Sequence, residues 1–353
     1  MRGLPFRAHA LLLRHQTITD DGQRAMRAAI ITRFGGPEVL AIQDVPAPTP
    51  QPREILVRVR ASALNRADLL QRQGRYPAPN ASPRDIPGIE FAGEVAATGA
   101  DASRWRPGDR VFGLVGGGAH AEFLVAHEEA VARIPDGLDW AAAGAIPEAF
   151  ITAWDALVTQ AGLSAGEHVL IHAVGSGVGL AAVHVARALG AVPLGVSRTA
   201  DKVERARHEG LHDGVALPHG PDGLAPFVQR MTAGRGVDVV LDLVGGPWTA
   251  AAVEVLALRG RLMVVGTVAG TRADIDLRRV LGRRLTIRGT VLRARPREEK
   301  IAVTRVFERD VVPLLAAGVL RPVIDRRYPL EAIAEAHRYL ESNSTFGKVV
   351  LEI

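Results

Sequence analysis

The stretch His168-Val169-Leu170-Ile171-His172-Ala173-Val174-Gly175-Ser176-Gly177-Val178-Gly179 decides how the chain reads. Val169, Leu170 and Ile171 form a short apolar run of the kind found in a parallel strand covered on both faces. Three glycines follow at once. Leu180, Val183, His184, Arg187 and Ala188 then recur at helical spacing, and Gly190 suits a helix end. The segment therefore reads as strand, tight turn and helix. Such a turn lets a backbone approach a pyrophosphate, and the helix N-terminus offers N–H groups and a positive dipole end to the anion. The spacing is not the literal G-x-G-x-x-G, so a plain strand–helix packing junction is the competing reading.

Working outward, the rhythm after residue 151 is strand, helix, strand, helix. Strands are expected at 192–196, 215–217, 237–243, 253–258, 261–265 and 285–289, with helices near 200–209 and 224–231. That pattern predicts an α/β fold, a Rossmann doubly wound parallel sheet. Before it, residues 26–150 read as short strands (28–32, 40–45, 55–61, 88–97, 110–114 and 121–125) separated by Gly and Pro turns, with one helix over 65–73. This predicts a β-rich, partly barrel-like domain. The tail carries a helix, a strand at 323–328, a helix at 333–341 and a strand at 348–353. It most simply returns to complete the first domain. The expected organisation is thus 26–150 with 290–353, and 151–289 as the dinucleotide domain.

Composition narrows the function classes. The chain has 353 residues, which suggests about two domains, and no cysteine, which excludes disulfides, thiolate zinc sites and cysteine nucleophiles. We expect a cytoplasmic protein on that basis. The net charge of +5 (43 basic, 38 acidic) is interspersed, so no nucleic-acid partner is expected. No apolar run reaches the roughly 18–20 residues of a membrane span. Residues 1–25, with Arg2, Arg7 and Arg14 around a short apolar piece, read as a disordered extension rather than a transit peptide.

Further features gather at strand ends, where open α/β sheets bind ligands. NAD sites usually place an acid at the end of the second strand. Here Ser197 and Arg198 stand there, with Lys202 one turn on, which suits an adenosine 2′-phosphate and so NADPH rather than NADH. The alternative is that Arg198 and Lys202 are ordinary surface charges. Asp242-Leu243-Val244 and Val265-Gly266-Thr267 close two later strands. Asp242 equally suits a cap for the following helix.

These residues together resemble the zinc-independent medium-chain dehydrogenase/reductases of the quinone oxidoreductase branch. The matching motifs run from Asn65 to Gly74 and include Tyr76-Pro77, Pro87 to Gly93, Pro107 to Val111, Pro147-Glu148-Ala149, the glycine turn and Phe346 to Leu351. The resemblance implies a GroES-like catalytic domain around the Rossmann domain, NADPH as cofactor, a quinone or enone as small-molecule substrate, and a homodimer. It also implies that Asn65, Asp68 and Tyr76 line the cleft. Thr152, Gly175, Ser176, Gly177, Val178, Gly179, Ser197, Arg198, Lys202, Asp242, Val244, Gly266, Thr267, Leu292, Asn343 and Lys348 are implied around the cofactor. Each catalytic candidate has a plainer role open to it: Asn65 as a helix N-cap, Asp68 paired with Arg72, Tyr76 packed against prolines, Lys348 as a solvated strand charge. The cysteine and histidine ligands of the zinc relatives are missing, so no metal is expected. Two other readings stand: an enoyl-thioester or enone reductase, and a non-catalytic cofactor-binding protein of RNA-binding or structural type.

Overall fold

The computed structural model describes residues 25–80 and 82–353. The extension expected over 1–25 lies outside these residues except for Ala25, which opens the first strand, Ala25–Ile31. Six parallel strands form one sheet: His168–Ile171, Val192–Ser197, Asp213–Ala216, Val237–Asp242, Leu256–Val264 and Thr286–Gly289. Numbered one to six along the chain, they lie in the order 3-2-1-4-5-6. Strands one and four are therefore neighbours, and the crevice beyond their carboxyl ends is the switch point where such sheets bind ligands. Val169, Leu170, Ile171, Val239, Val240 and Leu241 are fully buried. Burial on both faces explains why these strands read as apolar runs rather than alternations.

A second, seven-stranded sheet is mixed. Its strands Glu54–Ala63, Glu90–Thr98, Arg110–Leu114 and Val131–Arg133 pair antiparallel, and Phe123–His127 pairs with the first of them. The chain end joins this sheet: Lys348–Glu352 lies antiparallel to Glu54–Ala63 and carries Ile324–Pro329 on its other side. One apolar core joins the two sheets. It runs from Phe112 and Ala132 through Phe150, Ile151 and Trp154 of the helix Pro147–Trp154 to Val169, Ile171 and Leu180. No helix among the described residues is long and apolar enough to cross a membrane.

One expected strand, 253–258, is only half there. Residues 253–255 end the helix Pro247–Val255, and the strand starts at Leu256 and bulges at Arg259, whose φ is 61°. Short apolar runs do not distinguish helix from strand by period alone. Pro247 in the first turn and three successive alanines favour the helix here.

The helix Arg66–Arg72 packs near the helix Ile333–Glu341 over a buried polar cluster. Burial alone would raise the Asp68 carboxyl, but His120, His337 and the Asn65 N–H hold it below its ordinary range. Arg72, also buried, pairs with Glu341 rather than with Asp68. His337 is fully buried, and neither ring nitrogen has a hydrogen-bond partner.

Candidate active site

The glycine turn works by space rather than by backbone freedom. Its left-handed residue is Ala173, at φ 49°, and none of Gly175, Gly177 and Gly179 has a positive φ. Gly179 lets the helix Gly177–Ala188 close onto the strand: a Cβ there would lie 2.6 Å from the Ala173 carbonyl oxygen. At Gly177 a Cβ would meet the Lys348 stem at 2.4 Å. Ser176 is the helix N-cap, and its hydroxyl accepts the Gly179 N–H at 3.0 Å. The first N–H groups of the helix have no partner inside it. Gly347 docks onto the turn, donating its N–H to the Gly175 carbonyl at 3.0 Å.

Cations converge at the end of the second strand. Ser197 is buried, Arg198 is exposed, and Lys202 donates to the Asn343 carbonyl at 2.6 Å. Arg66 reaches across from the other sheet's helix and donates to the Asn343 side-chain oxygen at 2.8 Å. Burial and then the Arg198 charge push both Lys202 and Arg66 below their ordinary ranges. Asp325 opposes this at Lys202 and Glu341 at Arg66, yet the cations still repel one another. Asp201 lies in the first turn of the next helix, well exposed and 3.7 Å from Arg205, and no acid closes the strand itself. A cluster of cations with a hydroxyl at this end suits a dianionic phosphate.

At the fourth strand, Asp242 is committed to the protein. Its carboxylate accepts the Val244 and Gly245 N–H groups, both at 2.9 Å, the Thr249 hydroxyl, and His172 Nδ1 at 3.0 Å. These bonds tie down the turn before the helix Pro247–Val255 and the Thr249 side chain within it; the helix N-cap is Gly246, with no side-chain cap, so Asp242 does not cap that helix. Gly266 packs against Leu243, where a Cβ would stand 2.3 Å from the carbonyl oxygen, and Thr267 beyond it is exposed. Leu292 lies in the shared core.

The catalytic candidates meet around two carboxyl groups. Glu90 is sealed from solvent, and its Oε1 accepts Lys348 Nζ at 2.6 Å and Asn65 Nδ2 at 2.8 Å. Lys348 also donates to the Asn65 Oδ1 at 2.7 Å, so it is neither solvated nor free. Asn65 is also the helix N-cap, in a capping box with Asp68, whose carboxylate accepts the Asn65 and Gly88 N–H groups at 2.7 and 3.0 Å. Glu90 Oε2 accepts the Glu148 N–H at 2.9 Å. Thr152, one helical turn on, donates to Glu148 Oε1 at 3.4 Å. Tyr76 is half-buried under the Arg293 guanidinium, 5.1 Å from its ring centroid. Arg293 itself is buried and donates to the Gly116 carbonyl at 2.8 Å and to Gln71.

Comparison with known proteins fits this geometry. Residues 51–136 match the alcohol dehydrogenase GroES-like domain, and 222–351 match a family described as zinc-binding dehydrogenase. A quinone oxidoreductase from Lama guanicoe is 34% identical over 337 residues, 94% of this chain and 98% of the relative. The chain belongs to the medium-chain dehydrogenase/reductase family, as a quinone oxidoreductase-like member. Among solved structures, a quinone oxidoreductase from Pseudomonas syringae superposes with a TM-score of 0.84 at 28% identity, covering 93% of this chain and 100% of that one. An enoyl reductase superposes at 0.81 with 26% identity, covering 93% and 99%. This family makes the protein an oxidoreductase that binds a nicotinamide cofactor and acts on a small molecule.

Among its described residues, this medium-chain dehydrogenase/reductase offers no ligand group for the zinc in its matched family description. It has no cysteine, and no three His, Asp or Glu among the described residues are grouped to hold a metal. Four residues of the site escaped assignment from sequence. Arg66, Glu90 and Glu148 lay inside the family motifs without a role. Arg293 sits in a loop with no local signal, and only the packing of that loop on Tyr76 reveals it.

Proposed function

We propose that the protein reduces quinones or related electrophilic enones with NADPH, by hydride (or electron) transfer without a metal. The observation that carries the cofactor choice is the set of unneutralised cations, Arg66, Arg198 and Lys202, beside Ser197. In this reading the turn 175–179 and its helix N-terminus hold the pyrophosphate. Reduced nicotinamide supplies the hydride. The chain supplies orientation and polar contacts from Asn65, Tyr76, Thr152 and Arg293. Losing charge-assisted hydrogen bonds costs roughly 1.5–3 kcal/mol each. Arg198→Ala with Lys202→Ala is therefore expected to weaken NADPH binding by about 10²-fold or more and leave NADH nearly unchanged. Equal losses for both dinucleotides would remove the 2′-phosphate assignment.

The similarity to an enoyl reductase keeps enoyl thioesters as a second substrate class. NADPH oxidation followed by absorbance across quinones, enones and enoyl thioesters separates the classes. Tight NADPH binding with no turnover on any of them favours a non-catalytic role.

We also propose a homodimer formed along the last strand of the parallel sheet. Thr286–Gly289 is an exposed edge, and Leu277 (68% exposed), Leu281 (76%), Ile287 and Leu258 stand open on it or on elements near it. Such a face needs a partner. Leu277→Glu with Leu281→Glu is expected to halve the mass seen by light scattering; a wild-type monomer rules the dimer out.

A further inference from the structure

We propose that the Glu148 carboxyl is the acid that delivers the proton consumed when the substrate takes up hydride. The proposal rests on the reductase reading above and names the group that completes its chemistry.

Two carboxyl groups share this site and have different surroundings. Glu90 is sealed, and its oxygens accept from Lys348, Asn65 and the Glu148 backbone N–H, a donor set that suits an anion. Glu148 is mostly buried without being sealed, and its carboxyl has a single hydrogen-bond partner, the Thr152 hydroxyl at 3.4 Å. It interacts with the charges of Tyr76 from the preceding loop and Arg293 from the loop after the parallel sheet. These are the residues the site brings together around the catalytic candidates. The remaining charged groups that face it are Glu90 on its strand, Asp68 on its helix and Lys348 on the final strand.

Burial comes first and the Glu90 charge second in raising this carboxyl. Lys348 and Thr152 oppose them, and the outcome is a pKa of about 8. Glu148 stands in the first turn of its helix, where the dipole favours an anion, and the raised value prevails over that preference. A carboxyl raised by burial, with a neighbouring carboxylate adding to the effect, is a recurrent way to make a general acid.

The balance is complete. The hydride brings two electrons to the electrophilic carbon, and an electron pair shifts onto the carbonyl oxygen. The O–H bond of Glu148 breaks, and a new O–H bond forms on that oxygen. Glu148 remains as a carboxylate and regains a proton from water as product leaves. An enone product then passes from enol to ketone in solvent.

Two measurements test this. In the cofactor-free protein, the infrared difference between wild type and Glu148→Gln should show a protonated carboxyl that titrates near pH 8. With NADPH and either benzoquinone or methyl vinyl ketone, wild-type kcat/KM should fall above that pH. Glu148→Gln should lose this alkaline limb and drop about 10²-fold or more at pH 7, while its Kd for NADPH stays within about twofold. Glu148→Asp should restore the limb. That rescue and the unchanged Kd separate lost acid chemistry from misfolding. A wild-type rate with the limb intact in Glu148→Gln overturns the proposal, as does a carboxyl already ionised at pH 6. A wild type inactive on every substrate overturns the reductase reading, and the proposal falls with it.

Discussion

Replacing Lys348 with methionine is expected to lower the free energy of unfolding by roughly 3–5 kcal/mol. Lys348 is 5% exposed and Glu90 0%, and their contact is 2.6 Å. Methionine keeps most of the stem that lies over Gly177 but removes the charge. Glu90 is left with Asn65 and the Glu148 N–H, and with no cation. The Leu64 carbonyl and the Asn65 oxygen lose a donor as well. An uncompensated buried charge costs far more than the net worth of an intact pair. Adding Glu90→Gln to Lys348→Met should therefore recover most of the loss, since charge and countercharge leave together. Urea unfolding of the two single variants and the double variant gives the cycle. A loss below about 1 kcal/mol in Lys348→Met would mean that water reaches Glu90.

Acid should destabilise the protein well above the range of ordinary carboxylates, and His337 should carry much of the effect. Burial lowers its pKa from 6.5 to about 3; Asp68 opposes this, while His120 and Arg72 add to it. The folded protein thus resists a proton that the unfolded chain accepts. Stability is intact above pH 6.5 and falls as pH drops below it, by about 1.4 kcal/mol for each pH step until the folded value is reached. The depressed Asp68 carboxyl acts in the same direction but only at lower pH, as its own folded value is approached. His337→Leu separates the two. It removes a buried ring whose nitrogens have no partners, so at pH 7.5 it should be as stable as wild type or more so. Between pH 6.5 and 4.5 its urea midpoint should fall much less. Parallel curves for both proteins would assign the acid loss elsewhere.

Much of the architecture was legible in the chain. Short apolar runs such as 169–171 and 239–241 at βαβ spacing marked the parallel sheet, because burial on both faces favours apolar residues at successive positions. The first half of the strand expected at 253–258 is the end of a helix, because a short apolar run suits either period.

The site was legible only as a neighbourhood. Asn65, Asp68 and Lys348 were expected near the cofactor from their motifs, yet the contacts each makes depend on residues far along the chain. Lys348 and Glu90 are 258 positions apart, and Lys202 meets Asn343 across 141. By itself the sequence determined the doubly wound sheet, the glycine turn and the absence of cysteine ligands, because these follow from local period and residue type. The tertiary structure decided that Lys348 is spent on Glu90, that Arg66 joins the Arg198 and Lys202 cations, and that Glu148 is the carboxyl left without a countercharge of its own. Burial and electrostatic pairing are properties of three-dimensional neighbours, and no spacing along the chain encodes them.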